Sequence, residues 1–205
     1  QAAGRNLEAN GLLVGSLAAS GGLGARQAVR LTLGAEGIRA GDRAIGNLAL
    51  EVSGPLTDHR LALDLGGGDV AIDLDAGGSW RAGVLTETIS RATVTLTGEQ
   101  RWTLASPATV RVAAPDYRLS AHCWSAGAAG LCVTDSRYGP GGFAGGADLT
   151  RFPLGELARW LPADLAVDGT ADLAVTAEGD PARLDRTLRG SLRGKLAGAV
   201  ITWRV

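Results

Sequence analysis

Apolar and polar residues alternate along most of this chain, and that alternation constrains the fold more than any other feature. Residues two apart share one face of a β-strand, so period two predicts strands with one buried face. Leu48, Leu50 and Val52 lie on one parity, with Asn47 and Glu51 on the other. Leu61, Leu63 and Leu65 oppose Arg60 and Asp64, and Val70, Ile72 and Leu74 oppose Asp69, Asp73 and Asp75. Val94 and Leu96 oppose Thr93, Thr95 and Thr97, Val110 and Val112 oppose Thr109 and Arg111, and Leu173 and Val175 oppose Asp172 and Thr176. The last run sets Leu188, Leu192 and Leu196, interleaved with Gly190, Gly194 and Gly198, against Arg189, Ser191, Arg193 and Lys195. Its leucines, four apart, also fit a helix. Three glycines inside one helix would each cost about 1 kcal/mol relative to Ala, so the run reads as a strand.

Turn signals separate these runs: Gly21-Gly22, Gly54-Pro55, Gly66-Gly67-Gly68, Gly77-Gly78, Gly98-Glu99, Ala114-Pro115-Asp116 and Gly139 to Gly142. Their spacing suits a meander of hairpins, and no crossover helices recur as a parallel βαβ order requires. One short helix is expected near 153–161. Pro153 opens it, Pro162 stops it, and Leu154, Leu157, Ala158 and Leu161 repeat at helical spacing, so the leucines are expected to pack on the sheet. No Ser/Pro-rich or charged linker interrupts the pattern, so residues 1–205 read as one segment. The chain has no Met and starts at Gln1, which suggests a piece of a longer protein. No stretch approaches the ~18 apolar residues of a membrane-spanning helix, and no secretory signal is visible.

Composition bears on what covers the apolar face. The chain holds 35 Ala, 29 Leu and 31 Gly but nine aromatic residues, so Leu, Val, Ala and Ile must form any core. A second sheet or a closed barrel would bury the face. A single sheet folding over on itself would instead leave an apolar trough, with Gly easing its curvature. An open trough is a large exposed hydrophobic patch, which marks a binding surface. Twenty basic residues against 21 acidic ones, without a long block of either sign, leave no nucleic-acid footprint. Nineteen of the 20 are Arg, which fits a base-composition bias.

Catalytic chemistry is sparse. His59 and His122 stand 63 positions apart, without acidic or thiol partners at ligand spacing, and are expected at the surface. Neither G-x-S-x-G nor H-E-x-x-H occurs. Gly190 to Leu196 imitates a phosphate loop but has one residue too few between the glycines, and Leu where Ser or Thr would hold magnesium. Asp69, Asp73 and Asp75 read as a solvated strand face. No metal or cofactor is expected. Cys123 and Cys132, nine positions apart, flank Gly127 and Gly130, so a turn can set them on adjacent strands. A disulfide and a pair of reduced, buried thiols both fit this spacing.

At this segment the chain resembles the TamB family. The residues are Trp102-Thr103-Leu104, Pro107, Leu119, Cys123-Trp124 and Leu131-Cys132, followed by Phe152-Pro153-Leu154, Leu157, Leu161-Pro162 and Leu165 to Gly169. The resemblance is strongest over 102–175. It implies an all-β fold, a long, mostly antiparallel, folded-over sheet shaped as a β-taco groove with an apolar interior. It implies a periplasmic setting in a Gram-negative bacterium, with the parent anchored in the inner membrane, and that setting favours a Cys123–Cys132 disulfide. It also implies partnership with an Omp85-type outer-membrane barrel, TamA, through parts of the parent not recognisable here. The implied cargo is phospholipid acyl chains or unfolded outer-membrane protein strands, moved in lipid transport or in autotransporter and outer-membrane protein assembly.

Two function classes follow. In the first, a non-enzymatic conduit, Leu48, Leu50, Val52, Leu61, Leu63, Leu65, Val70, Ile72, Leu74, Val94, Leu96, Val110, Val112, Leu173, Val175, Leu188, Leu192 and Leu196 line the groove. In the second, the chain is a β-solenoid spacer with a filled core and no cargo. An enzymatic reading has no motif behind it.

Overall fold

The computed structural model describes residues 1–9, 11–24, 28–96, 100–162 and 164–203, with the side chains of Leu96 and of 158–160 outside the described set. The chain is all-β and antiparallel, as the alternation predicts. It forms two compact units, 1–114 and 115–205, which meet within the Ala114-Pro115-Asp116 turn.

In the first unit, β1 (Ala2–Ala9), β2 (Leu12–Leu23), β3 (Ala28–Ala40), β4 (Arg43–Pro55), β5 (His59–Gly66), β6 (Val70–Arg81) and β7 (Val84–Leu96) form a sequential meander. Each strand pairs with the next because each connection is short enough for a hairpin. The outer edge of β7 is shared by two short strands. β8 (Arg101–Leu104) pairs with Thr93–Thr95, and β9 (Ala108–Ala113) pairs with Leu85–Ile89.

The second unit centres on β14 (Gly142–Pro153), likewise shared along one edge. Its first residues pair with β13 (Ser136–Gly139), which pairs with β10 (Asp116–Leu119). Its later residues pair with β12 (Ala129–Val133), which forms a hairpin with β11 (His122–Ala126). On the opposite edge lie β15 (Leu165–Gly179) and then β16 (Arg189–Trp203). The final run is therefore a strand, and its helical leucine spacing plays no part.

Two of the expected turns are absent. Gly21-Gly22 and Gly77-Gly78 are not turns but lie inside β2 and β6. In β6 the missing side chain at Gly78 is what lets a Glu87 carboxylate pack there. The short helix expected between Pro153 and Pro162 is present, as the 3-10 helix Leu154–Trp160. Eight residues between two prolines are too few to sustain an α-helix by propensity. It packs against β15 and buries Leu154, while Leu161 is half-buried and Leu157 stays 37% exposed.

The described residues hold little conventional core. Of seven buried apolar residues, six are Ala, and Leu154 is the one large side chain. The strand leucines and valines remain half-buried or exposed.

Candidate functional site: the apolar sheet faces and their polar inserts

Register decides which residues meet. In the first unit one row across the sheet reads Leu33, Leu50, Leu63, Leu74 and Ala92. Beside it run Ala35, Leu48, Leu65, Ile72, Val94 and Trp102 on one flank, and Leu31, Val52, Leu61, Ala76, Ile89 and Ala108 on the other. At ~4.8 Å per strand the central row spans about 20 Å. Its strands carry Glu51, Asp64, Asp73 and Asp75 on the opposite face, where Arg91 bridges Asp75 at 2.7 Å and Asp73 at 3.5 Å. The alternation thus separates an apolar face from a charged one, and Asp73 and Asp75 lie on the solvated side as expected.

The residues read from the first-unit runs fall on this one face, except Leu96, whose side chain lies outside the described set. Val110 lies across from Glu87 and Val112 from Leu85, while Val70 pairs with Leu96. Continuity depends on a bulge. Between Asp75/Arg91 and Ala76/Ile89 the register slips by one residue, leaving Ser90 extra. Ala92 and Val94 therefore share their face with Ile89 and Leu85 although their parities differ. Strict period two cannot predict this switch.

The second unit repeats the pattern. Trp124, Leu131, Leu149 and Leu173 form one row, and His122, Val133, Ala147, Val175 and Leu192 the next. Leu196 pairs with Ala171 on the same face, and Leu188 lies just outside β16. Leu188, Leu192 and Leu196 are the most exposed of the predicted set, at 59%, 71% and 64%. Cys123 and Cys132 sit directly opposite each other on the other face, their sulfurs at bonding distance.

Both histidines overturn the surface expectation. His59 is 7% exposed and His122 8% exposed, each on the apolar face. His59 begins β5 on the parity of Leu61, and register aligns it with Gly78 and then Glu87. Its Nε2 contacts Glu87 Oε1, and its Nδ1 lies 3.1 Å from the Leu56 carbonyl. Both ring nitrogens thus lie against oxygen atoms. A Cβ on Gly78 would overlap the Glu87 carboxyl group, so this pair requires glycine beneath it. Glu87 Oε2 is buried without a hydrogen-bond partner. The sequence gives no local sign of this pair, because its members are 28 residues apart. His122 turns its Nδ1 to the Ser120 carbonyl at 2.9 Å and its ring to Trp124, edge to face at 6.5 Å.

Among the described residues the one clearly shifted carboxyl, Asp180, precedes the turn that leads into β16. Its Oδ1 accepts from the Ala182 amide at 3.0 Å and its Oδ2 from Arg183 Nε at 2.9 Å, and these bonds hold it below the ordinary carboxylate range. It caps the turn before β16.

Compared with known proteins, the sequence model of the family described as "TamB, N-terminal domain" matches residues 1–198. No curated protein and no solved structure matches the chain.

Proposed function

Because the chain belongs to the TamB N-terminal-domain family, we propose that its apolar sheet faces shield lipid acyl chains as part of a non-enzymatic translocation and assembly module. The setting is the periplasm of a Gram-negative envelope, with the parent anchored in the inner membrane and working with an outer-membrane barrel. One observation carries the reading. Register aligns Leu and Val side chains into rows across many strands, yet none of these strand leucines or valines is buried. Acyl chains on that face would remove apolar surface from water at roughly 25 cal/mol per Å². The lining is almost uniformly aliphatic, so it offers few fixed polar anchors and suits cargo that must also leave. The oxidising compartment accommodates a Cys123–Cys132 disulfide.

Leu63→Asp tests this against a spacer with a filled core. Leu63 lies mid-row, between Leu50 and Leu74. On an open face the Asp stays hydrated, so the protein keeps its strand circular dichroism while phospholipid recovered with it falls severalfold. In a filled core the variant unfolds. A folded variant with undiminished lipid would contradict the groove reading.

A further inference from the structure

We infer that Tyr117 and Tyr138 form a headgroup subsite on the apolar face of the second unit, and that it takes the ammonium end of a zwitterionic phospholipid. The inference rests on the acyl-chain reading and adds to it which lipids are favoured and where their polar ends lie. The chain has two tyrosines, and register makes them direct cross-strand partners, Tyr117 in β10 and Tyr138 in β13. Tyr138 in turn pairs with Phe143 in β14, so three aromatic rings occupy one row. Parity along β14 places Phe143 on the same face as Ala147 and Leu149, the apolar one. Phe143 packs down on Gly179, where its Cε1 and Cζ lie 3.1 and 3.3 Å from the position a Cβ would take. The tyrosines instead stay 43% and 53% exposed. Their ring centroids are 6.0 Å apart and their planes are inclined at 58°.

The rings specify the chemistry of the headgroup. A tyrosine has an apolar body and a polar tip, which suits it to a place where apolar surface meets water. Its π face attracts a cation within ~6 Å of the centroid, and at this spacing one ammonium can lie within that range of both rings. The phosphate beside the ammonium can accept from the tyrosine hydroxyls. A headgroup without an ammonium meets no countercharge here. Arg118, Arg137 and Glu178 fill the next row, one residue along the strands, and alternation turns them to the opposite face. The place also suits the rest of the lipid. From Phe143 the apolar face continues through Gly145 and Ala147 to Leu149. Six residues at ~3.4 Å each span about 20 Å. That exceeds the ~15 Å that the acyl chains of one leaflet occupy in a bilayer core ~30 Å thick. A lipid with its ammonium on the tyrosines can therefore lay its chains along this face.

The test uses the 205-residue chain and three soluble probes: a short-chain phosphatidylethanolamine, a phosphatidylglycerol with the same chains, and glycerophosphoethanolamine, which has no chains. Titration calorimetry should show the ethanolamine lipid binding about two- to fivefold more tightly than the glycerol lipid, the range expected of an exposed cation–π contact. The chainless probe should bind far more weakly than either. Saturation-transfer NMR with the aromatic protons irradiated should mark the ethanolamine methylene next to nitrogen more strongly than the glycerol headgroup, a readout on the unaltered chain that needs no variant to fold. Y117L/Y138L should bind both lipids equally, at the affinity of the glycerol lipid. Y117F/Y138F keeps the rings and should keep the preference. Equal binding of the two lipids by the unaltered chain, or a preference that survives Y117L/Y138L, overturns the proposal and leaves the acyl-chain reading standing. A chainless probe that binds as tightly as the lipid also overturns it, because the site then takes free amines. If neither lipid binds, the acyl-chain reading fails and this subsite with it, so the two failures are distinguishable.

Discussion

Replacing Gly78 with Ala places a methyl group where the Glu87 carboxyl now lies. The three atoms nearest to that methyl are all Glu87 carboxyl atoms, so the backbone around position 78 is not the obstacle. Gly78 also lacks a positive φ, so Ala is conformationally acceptable there. The cost is therefore that of driving Glu87 off His59. Removing one partner of a buried pair costs about 3–5 kcal/mol. Against this, Ala in place of Gly restricts the unfolded chain and returns about 0.4–1 kcal/mol. The expected net loss is about 2–4 kcal/mol, read from the urea midpoint at unchanged slope. With Glu87→Ala already in place there is nothing to displace, and Gly78→Ala should then be neutral or mildly stabilising. The coupling between the two sites should be about 3 kcal/mol, well above the few tenths seen for independent positions. If Gly78→Ala costs the same in both backgrounds, the three-strand arrangement of His59, Gly78 and Glu87 is wrong.

Three further outcomes follow from local geometry. Cys123 and Cys132 are nine residues apart, so reduction, or the double Ser variant, should lower stability by about 2–3 kcal/mol by the loop-entropy relation. The unreduced protein should gain no mass with maleimide. Gly46 has φ 111°, and a Cβ there would overlap the Gly66 carbonyl oxygen, a backbone atom that cannot swing away. Gly46→Ala should cost about 2–3 kcal/mol in the same denaturation assay. Asp180 has a depressed native pKa, so its contribution is present above its ordinary value of 3.8 and is lost as pH falls through the native value. The stability gap between the protein and Asp180→Asn should stay constant above ~pH 5 and close below the ordinary value.

Much of the fold was legible because sheet physics is local. Alternation found β4 to β7, and the cost of glycine in a helix decided β16 against its four-residue leucine spacing. The bulges were not legible. Ser90 and the Gly198 region each insert a residue that moves the parity of a face, and only the partner strand reveals the extra residue. Gly77-Gly78 carries the same dipeptide signal as a turn. It is a strand interior because a side chain from β7 occupies the space above Gly78. The histidines were misplaced for a related reason. Lone His residues without local ligand spacing suggest solvent, but register delivered Glu87 to His59 from 28 residues away and Trp124 to the His122 ring. The short helix was located from its prolines, whereas its 3-10 geometry could not be read from spacing that also fits an α-helix.

If one sheet face carries acyl chains and the other does not, neighbouring residues of one strand must differ in what they touch. Leu63 and Asp64 are adjacent in β5 and point to opposite faces. A photocrosslinking residue at each position, irradiated in cells and analysed by mass spectrometry, separates the two surfaces directly. Phospholipid adducts are expected at position 63 and none at 64. Adducts in equal yield at both positions, or none at 63 in protein that remains folded, would contradict that.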